Sequence, residues 1–131
     1  MTYYFNHELP TSTSLKEPGA TQLANQNFTA KYGENAEIVM QAVCECFNID
    51  REDLTGKSKQ QPLAWRRAIA MALSYEMDKE LSLEKVGEIY GGRNHATVIH
   101  SVKLVKASMD LFAAKRKDVN KVLRKIKELK S

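Results

Sequence analysis

Apolar and polar positions fall into a helical rhythm only from residue 35 onward. From Asn35, a good N-cap, the apolar residues Ile38, Val39, Ala42, Val43, Cys46 and Phe47 recur at helical spacing and predict a first helix. "NIDREDLTGK" then predicts a turn, with Asp50 placed to cap a short helical turn running through Leu54. The polar, basic stretch "KSKQQP" leads to Pro62, expected at the first position of a helix from Leu63 to about Asp78. Its Trp65, Ile69, Leu73 and Met77 should face the core. Ser82 stands as the N-cap of a short helix over Leu83 to Tyr90, with Glu84 at its positive end. Gly91 and Gly92 stop it, since one of them can take the left-handed conformation that closes a helix. Asn94 caps the next helix, where Val98, Val102, Val105, Met109 and Phe112, spaced 4, 3, 4 and 3, make one apolar stripe. Asp118 is expected to start a last helix with Val119, Val122, Ile126 and Leu129 inward and a basic outer face.

No strand alternation or internal repeat interrupts this pattern, so the chain reads as all-α. Residues 1–34 mix Thr, Ser, Asn, Gln, Pro and Gly without a sustained period and are expected to form a disordered N-terminal arm. Tyr3, Tyr4 and Phe5 make a small aromatic cluster within it. The folded domain is expected over residues 35–131.

Composition narrows the function classes. A chain of 131 residues holds enough apolar residues for one compact domain, not for a large enzyme with a deep cleft. No apolar run approaches the roughly 20 residues of a membrane helix, and the N-terminus lacks the basic start and apolar stretch of a signal peptide. Cytoplasm is the expected location. Cys44 and Cys46, the two cysteines, point about 200° apart on a helix, which argues against a mutual disulfide. No second Cys or His pair follows at zinc spacing, so they read as buried thiols. The net charge of +4 is concentrated at one end. Residues 115–131 carry eight Lys/Arg against two acids, whereas residues 35–114 carry ten against eleven. That distribution excludes a protein that coats DNA by uniform positive charge and leaves local basic clusters.

The densest candidate chemistry lies in "GGRNHATVIH", where two glycines, an arginine and two histidines share ten positions. A short helix, a tight Gly-containing turn and a longer amphipathic helix form a helix-turn-helix unit, in which the second helix can enter the DNA major groove N-terminus first. Asn94, His95, Ala96 and Thr97 occupy that end. Ala96, His100, Lys103 and Ala107 lie opposite the apolar stripe and are expected to be exposed. Asn94 and His95 can donate and accept at base edges, small Ala96 permits close approach to a thymine methyl, and Arg93 and Lys103 suit phosphates. Plain helical bundles use the same geometry, and there Asn94 would be only a cap. His95 and His100 are five apart, not the i, i+4 of helical metal pairs, so no metal is expected. No nucleophile has an evident base nearby and no phosphate-cradling glycine loop occurs, so neither catalysis nor a cofactor is expected.

"VGEIYGGRNHATVIHS", Val86 to Ser101, closely resembles the signature of the C-terminal DNA-binding domain of the bacterial replication initiator DnaA, commonly I-G-x-x-F-G-G-R-D-H-T-T-V-x-H-A. "LTGKSKQQPLAWRRAIAMAL", Leu54 to Leu73, is similar to the family's basic loop and the long helix after it, and the likeness extends from about Glu37 to Lys130. The resemblance implies a Trp-repressor-like helix-turn-helix bundle with a basic loop, a C-terminal basic amphipathic helix and double-stranded DNA as its partner. It implies that His95 reads a base in the major groove, that Thr97 matches the signature's second threonine, and that Arg93 contacts phosphate at the turn. Lys57 and Lys59 lie in the loop that the family sends into the minor groove, Lys59 at the position of its arginine. Arg66 and Arg67 fall where the family contacts backbone, and His100 lies beside the reading face. The family's ATP-binding motor domain has no counterpart in these residues, so ATP hydrolysis and origin melting are not carried over. Asn94 stands where the family has aspartate, which changes a cytosine-type acceptor into a group suited to adenine. Ala96 replaces a threonine, Lys59 an arginine, and Trp65 takes a place usually polar.

The leading expectation is a small stand-alone, nucleoid-associated DNA-binding protein, specific for a short duplex site in replication or transcription control. The alternative is a module that docks on a replication protein through its arm or its Val119–Leu129 helix, with little DNA affinity of its own.

Overall fold

The computed structural model describes residues 28–131, and the aromatic cluster expected at Tyr3 to Phe5 lies outside the described residues. Six helices follow a helical turn at 28–32: α1 Glu34–Phe47, α2 Arg51–Thr55, α3 Leu63–Met77, α4 Leu83–Ile89, α5 His95–Leu111 and α6 Ala113–Lys130. No strand occurs among the described residues, and the bundle is all-α. None of the described helices is long and apolar enough to cross a membrane.

α3 is the central element, packed by α1, α2, α4 and α5. Its "AIAMAL" run explains this, because Ala68, Ala70 and Ala72 let neighbouring helices approach closely while Ile69, Met71 and Leu73 fill the space between them. Burial therefore wraps nearly the whole circumference of α3, a wider contact than one stripe of Trp65, Ile69, Leu73 and Met77. Met77 at its end is only half-buried. Tyr90, which follows α4, is wholly buried, and its hydroxyl shares a 3.0 Å hydrogen bond with Ser74 of α3. Burial pushes that phenol far above its ordinary range.

Several element boundaries differ from the sequence reading. α1 starts after Gly33, which holds φ at 96°, and Asn35 sits inside the helix. There it accepts a hydrogen bond from Lys130 Nζ at 2.9 Å, which ties the end of α6 to the start of α1. Described residues before 35 also make contacts. Tyr32 donates its hydroxyl to Glu88 of α4 at 2.7 Å, and Lys31 pairs with the same carboxylate at 3.2 Å. The Tyr32 hydroxyl and then Lys31 hold the Glu88 carboxyl below its usual range. Pro62 occupies the position before α3 and not its first turn.

The largest differences lie at the junction of α5 and α6. Phe112 does not complete the α5 stripe; it adopts extended angles, φ −129° and ψ 118°, and is 54% exposed. α6 begins at Ala113, because "AAKRK" is a run of good helix formers that starts at the kink without waiting for a capping residue. Asp118 accordingly lies within α6 and accepts the Trp65 indole N–H at 2.9 Å. Arg116 donates to the Met109 carbonyl at 2.7 Å, closing the negative end of α5. Val119, Val122, Leu123 and Ile126 are buried, and α6 packs on α1 and α5. Cys44 and Cys46 are free and half-buried. Burial raises the Cys44 thiol to about 11.

Candidate nucleic-acid interface

The two helices α4 and α5 meet through a turn in which the backbone does most of the work. Ser82 Oγ accepts the Lys85 N–H at 3.1 Å and starts α4. At its far end the Gly87 carbonyl accepts N–H groups from both Gly92, at 3.0 Å, and Arg93, at 2.9 Å. Both Gly91 and Gly92 take positive φ, 95° and 79°, where one had been expected to. Gly87 is the third required glycine, missed in the sequence reading. A Cβ there would lie 1.9 Å from the Arg93 carbonyl oxygen. The signal was present, since a glycine inside a helical pattern often marks a close packing contact.

Asn94 caps α5, its Oδ1 accepting the Thr97 N–H at 2.9 Å and the Thr97 hydroxyl at 3.2 Å. Two donors engage the two lone pairs of that oxygen, which leaves the Nδ2 amide as the group Asn94 can offer. The adenine-type pairing expected of Asn94 needs both oxygen and nitrogen, and the cap takes the oxygen; that expectation is corrected. His95, Ala96 and Thr97 are exposed in the first turn, as are His100, Lys103 and Ala107 on the same side, while Val98, Val102 and Val105 are buried opposite. The bare face of α5 is therefore the one that its polar periodicity singled out.

The arginines and lysines around the loop play different parts. Lys57 and Lys59 are exposed on the loop between α2 and α3. Arg67 is 4% exposed and donates to three backbone carbonyls, Leu54 at 2.7 Å, Ser58 at 2.7 Å and Asp53 at 2.8 Å. It cannot also meet a phosphate, and its expected role as a DNA contact is corrected. Arg93 donates to the Gly56 carbonyl at 2.6 Å and to the Tyr90 carbonyl, with its guanidinium half-buried. These two bonds tie the helix-turn-helix turn to the stem of the loop, and Arg93 also lines the space beside α5. Burial, with the neighbouring Arg93 charge adding to it, lowers the Arg67 guanidinium, and burial lowers that of Arg93. Arg66 stacks on the Phe47 ring of α1, 4.6 Å from its centroid, and does not line the space between loop and α5. Arg67 thus fixes the loop to α3, the half-buried Arg93 ties its stem to the turn before α5, and the exposed lysines are carried on it.

Between loop and helix runs a cleft of about 420 Å³ lined by Lys59, Trp65, Thr97 and His100, among others. No group of three or more metal-ligating side chains occurs among the described residues.

A short helix, a turn closed by glycines and a second helix with a bare polar N-terminal face define a helix-turn-helix DNA-binding domain. Residues 36–105 match the family described as the bacterial DnaA protein helix-turn-helix, and the chain belongs to that family. It is 38% identical over 90 residues to the chromosomal replication initiator protein DnaA of Chlorobaculum tepidum, a match covering 69% of this chain and 18% of that protein. The protein of the same description from Ehrlichia ruminantium (strain Gardel) is 40% identical over 84 residues, 64% of this chain and 18% of the relative. The one from Porphyromonas gingivalis (strain ATCC 33277) is 36% identical over 85 residues, 65% of this chain and again 18% of the relative. The chain thus spans about a fifth of the length of these relatives.

Proposed function

We propose that this domain binds a short duplex DNA site sequence-specifically, as part of replication or transcription control in the cytoplasm, and that it is not an enzyme. One observation carries the reading: α5 exposes His95, Ala96, Thr97, His100 and Lys103 on one face while burying its valines on the other. The N-terminal turn of α5 enters the major groove. His95 reads a base edge, the methyls of Ala96 and Thr97 meet thymine, and the Asn94 Nδ2 donates to a base acceptor or a phosphate. Lys59, on its arginine-anchored loop, reaches the adjacent minor groove, with Lys57 and Lys103 on the backbone. Relatives described as chromosomal replication initiators support replication as the setting. The apolar side of the Val119–Leu129 helix is taken up within the bundle, with Val119, Val122 and Ile126 buried and α6 packed on α1, which favours the DNA reading over docking through that side.

Selection from a random duplex pool tests this. An enriched motif of under about a dozen base pairs is expected, with affinity for the winner falling as salt rises. Lys59→Ala should weaken binding and relax any preference at the minor-groove end. Absence of an enriched motif, or affinity indifferent to salt, would overturn the proposal.

A further inference from the structure

The cleft between loop and α5 has a feature that neither the turn nor the reading face explains. Its lining includes the fixed cations Lys59, Arg67, Arg93 and Lys115, with His100, and no carboxylate. A cleft of one sign with low-dielectric walls focuses its potential and draws in an anion. Arg67 and Arg93 are committed to backbone carbonyls, and Lys59 belongs to the loop. Lys115 comes from a different element, the first turn of α6, and no ion pair engages it among the described residues. Its ammonium rests 4.3 Å from the centroid of the Trp65 ring. The ring is itself fixed, buried to 4% exposure with its N–H on Asp118 at 2.9 Å. Asp118 does not line the cleft.

We propose that Lys115, held on the Trp65 ring, is a DNA phosphate contact contributed by α6, and that the cleft seats the backbone strand that separates the two grooves. The inference rests on the proposed function. An element that reads the major groove and a loop that reaches the adjacent minor groove straddle one sugar-phosphate backbone, and the cleft lies between these two elements. A cation-π contact holds the half-buried Lys115 ammonium without pairing its charge, so it can exchange to a phosphate oxygen. The ring meanwhile restricts the long side chain before binding, which reduces the entropy lost on contact. α6 thereby joins the binding surface through one residue of its first turn.

The test measures affinity for the selected duplex across a salt series by anisotropy of a labelled strand. Lys115→Ala should weaken binding roughly three- to tenfold at low salt and reduce the slope of log affinity against log salt by about one. Lys115→Arg should retain both, and Lys127→Ala, at the far end of α6, should leave both unchanged. Trp65 is the only tryptophan, so its emission gives a second, label-free readout. Its emission should shift when duplex is added to the wild type and shift much less in Lys115→Ala. Unchanged affinity and slope in Lys115→Ala, with a wild type that binds, would overturn this inference alone. A wild type that binds no duplex would overturn the proposed function as well.

Discussion

Gly87→Ala is expected to destabilise the domain by at least about 3 kcal/mol, through overpacking at a contact that has no room to relax. The added Cβ would lie 1.9 Å from the Arg93 carbonyl oxygen and 3.6 Å from Val98 Cγ2. Its closest neighbour is backbone, and that backbone is held by the hydrogen bonds from Gly92 and Arg93 to the Gly87 carbonyl itself. Relief therefore requires α4 and α5 to separate, which moves the reading face as well as lowering stability. For a domain of this size the loss corresponds to a fall in Tm of roughly 12–24 °C. Gly92→Ala makes the contrast, since nothing lies within 4 Å of a Cβ there and only the strain of its φ of 79° is added. That strain costs about 1–2 kcal/mol. Thermal unfolding of the two variants side by side checks the account. A Gly87→Ala effect no larger than that of Gly92→Ala would contradict the close α4–α5 contact as the source of the cost.

Arg67→Met should cost about 2–4 kcal/mol and also weaken DNA binding, although Arg67 touches no DNA in this account. Hydrogen bonds to a charged donor contribute about 1.5–3 kcal/mol each and are not additive when they share one guanidinium. Removing the side chain leaves the carbonyls of Asp53, Leu54 and Ser58 without these donors and releases the loop that carries Lys57 and Lys59. A loop that must be ordered on binding weakens the complex by its conformational entropy. Arg67→Lys should recover only part of the loss, because a planar fork reaches three differently placed carbonyls and a point ammonium does not. Denaturant unfolding gives the stability, and amide exchange at residues 56–61 gives the loop. Protection there that is unchanged in Arg67→Met would contradict the anchoring role.

These two effects also mark where sequence reasoning succeeds and stops. The caps at Ser82 and Asn94 were legible because they depend on contacts three residues away, which local sequence specifies. The exposed face of α5 was legible because helical periodicity assigns each position a side. Phe112 was misplaced for the same reason: the 4-3-4-3 rhythm runs on through it, and only the return of α6 bends the chain there. Arg67 read as a DNA-backbone contact because an arginine looks alike whether it faces solvent or carbonyls. The sign available at Arg67 was its company, a guanidinium directly before the apolar run Ala68 to Leu73. Lys115 was one basic residue among many until the fold set it against Trp65, fifty positions earlier in the chain. The sequence offered Asn94 both as a cap and as a group suited to adenine, and only the geometry shows the cap occupying its oxygen.

The central claim is that the first turn of α5 reads sequence, and His95 is the residue that tests it most directly. The measurement is the ratio of affinities for the selected duplex and for a scrambled duplex of the same length and salt, in wild type and His95→Ala. A lost base contact should remove about 1–3 kcal/mol of discrimination, a fall of roughly 5- to 150-fold in that ratio, with affinity for the scrambled duplex nearly unchanged. A ratio that survives His95→Ala intact would contradict the claim.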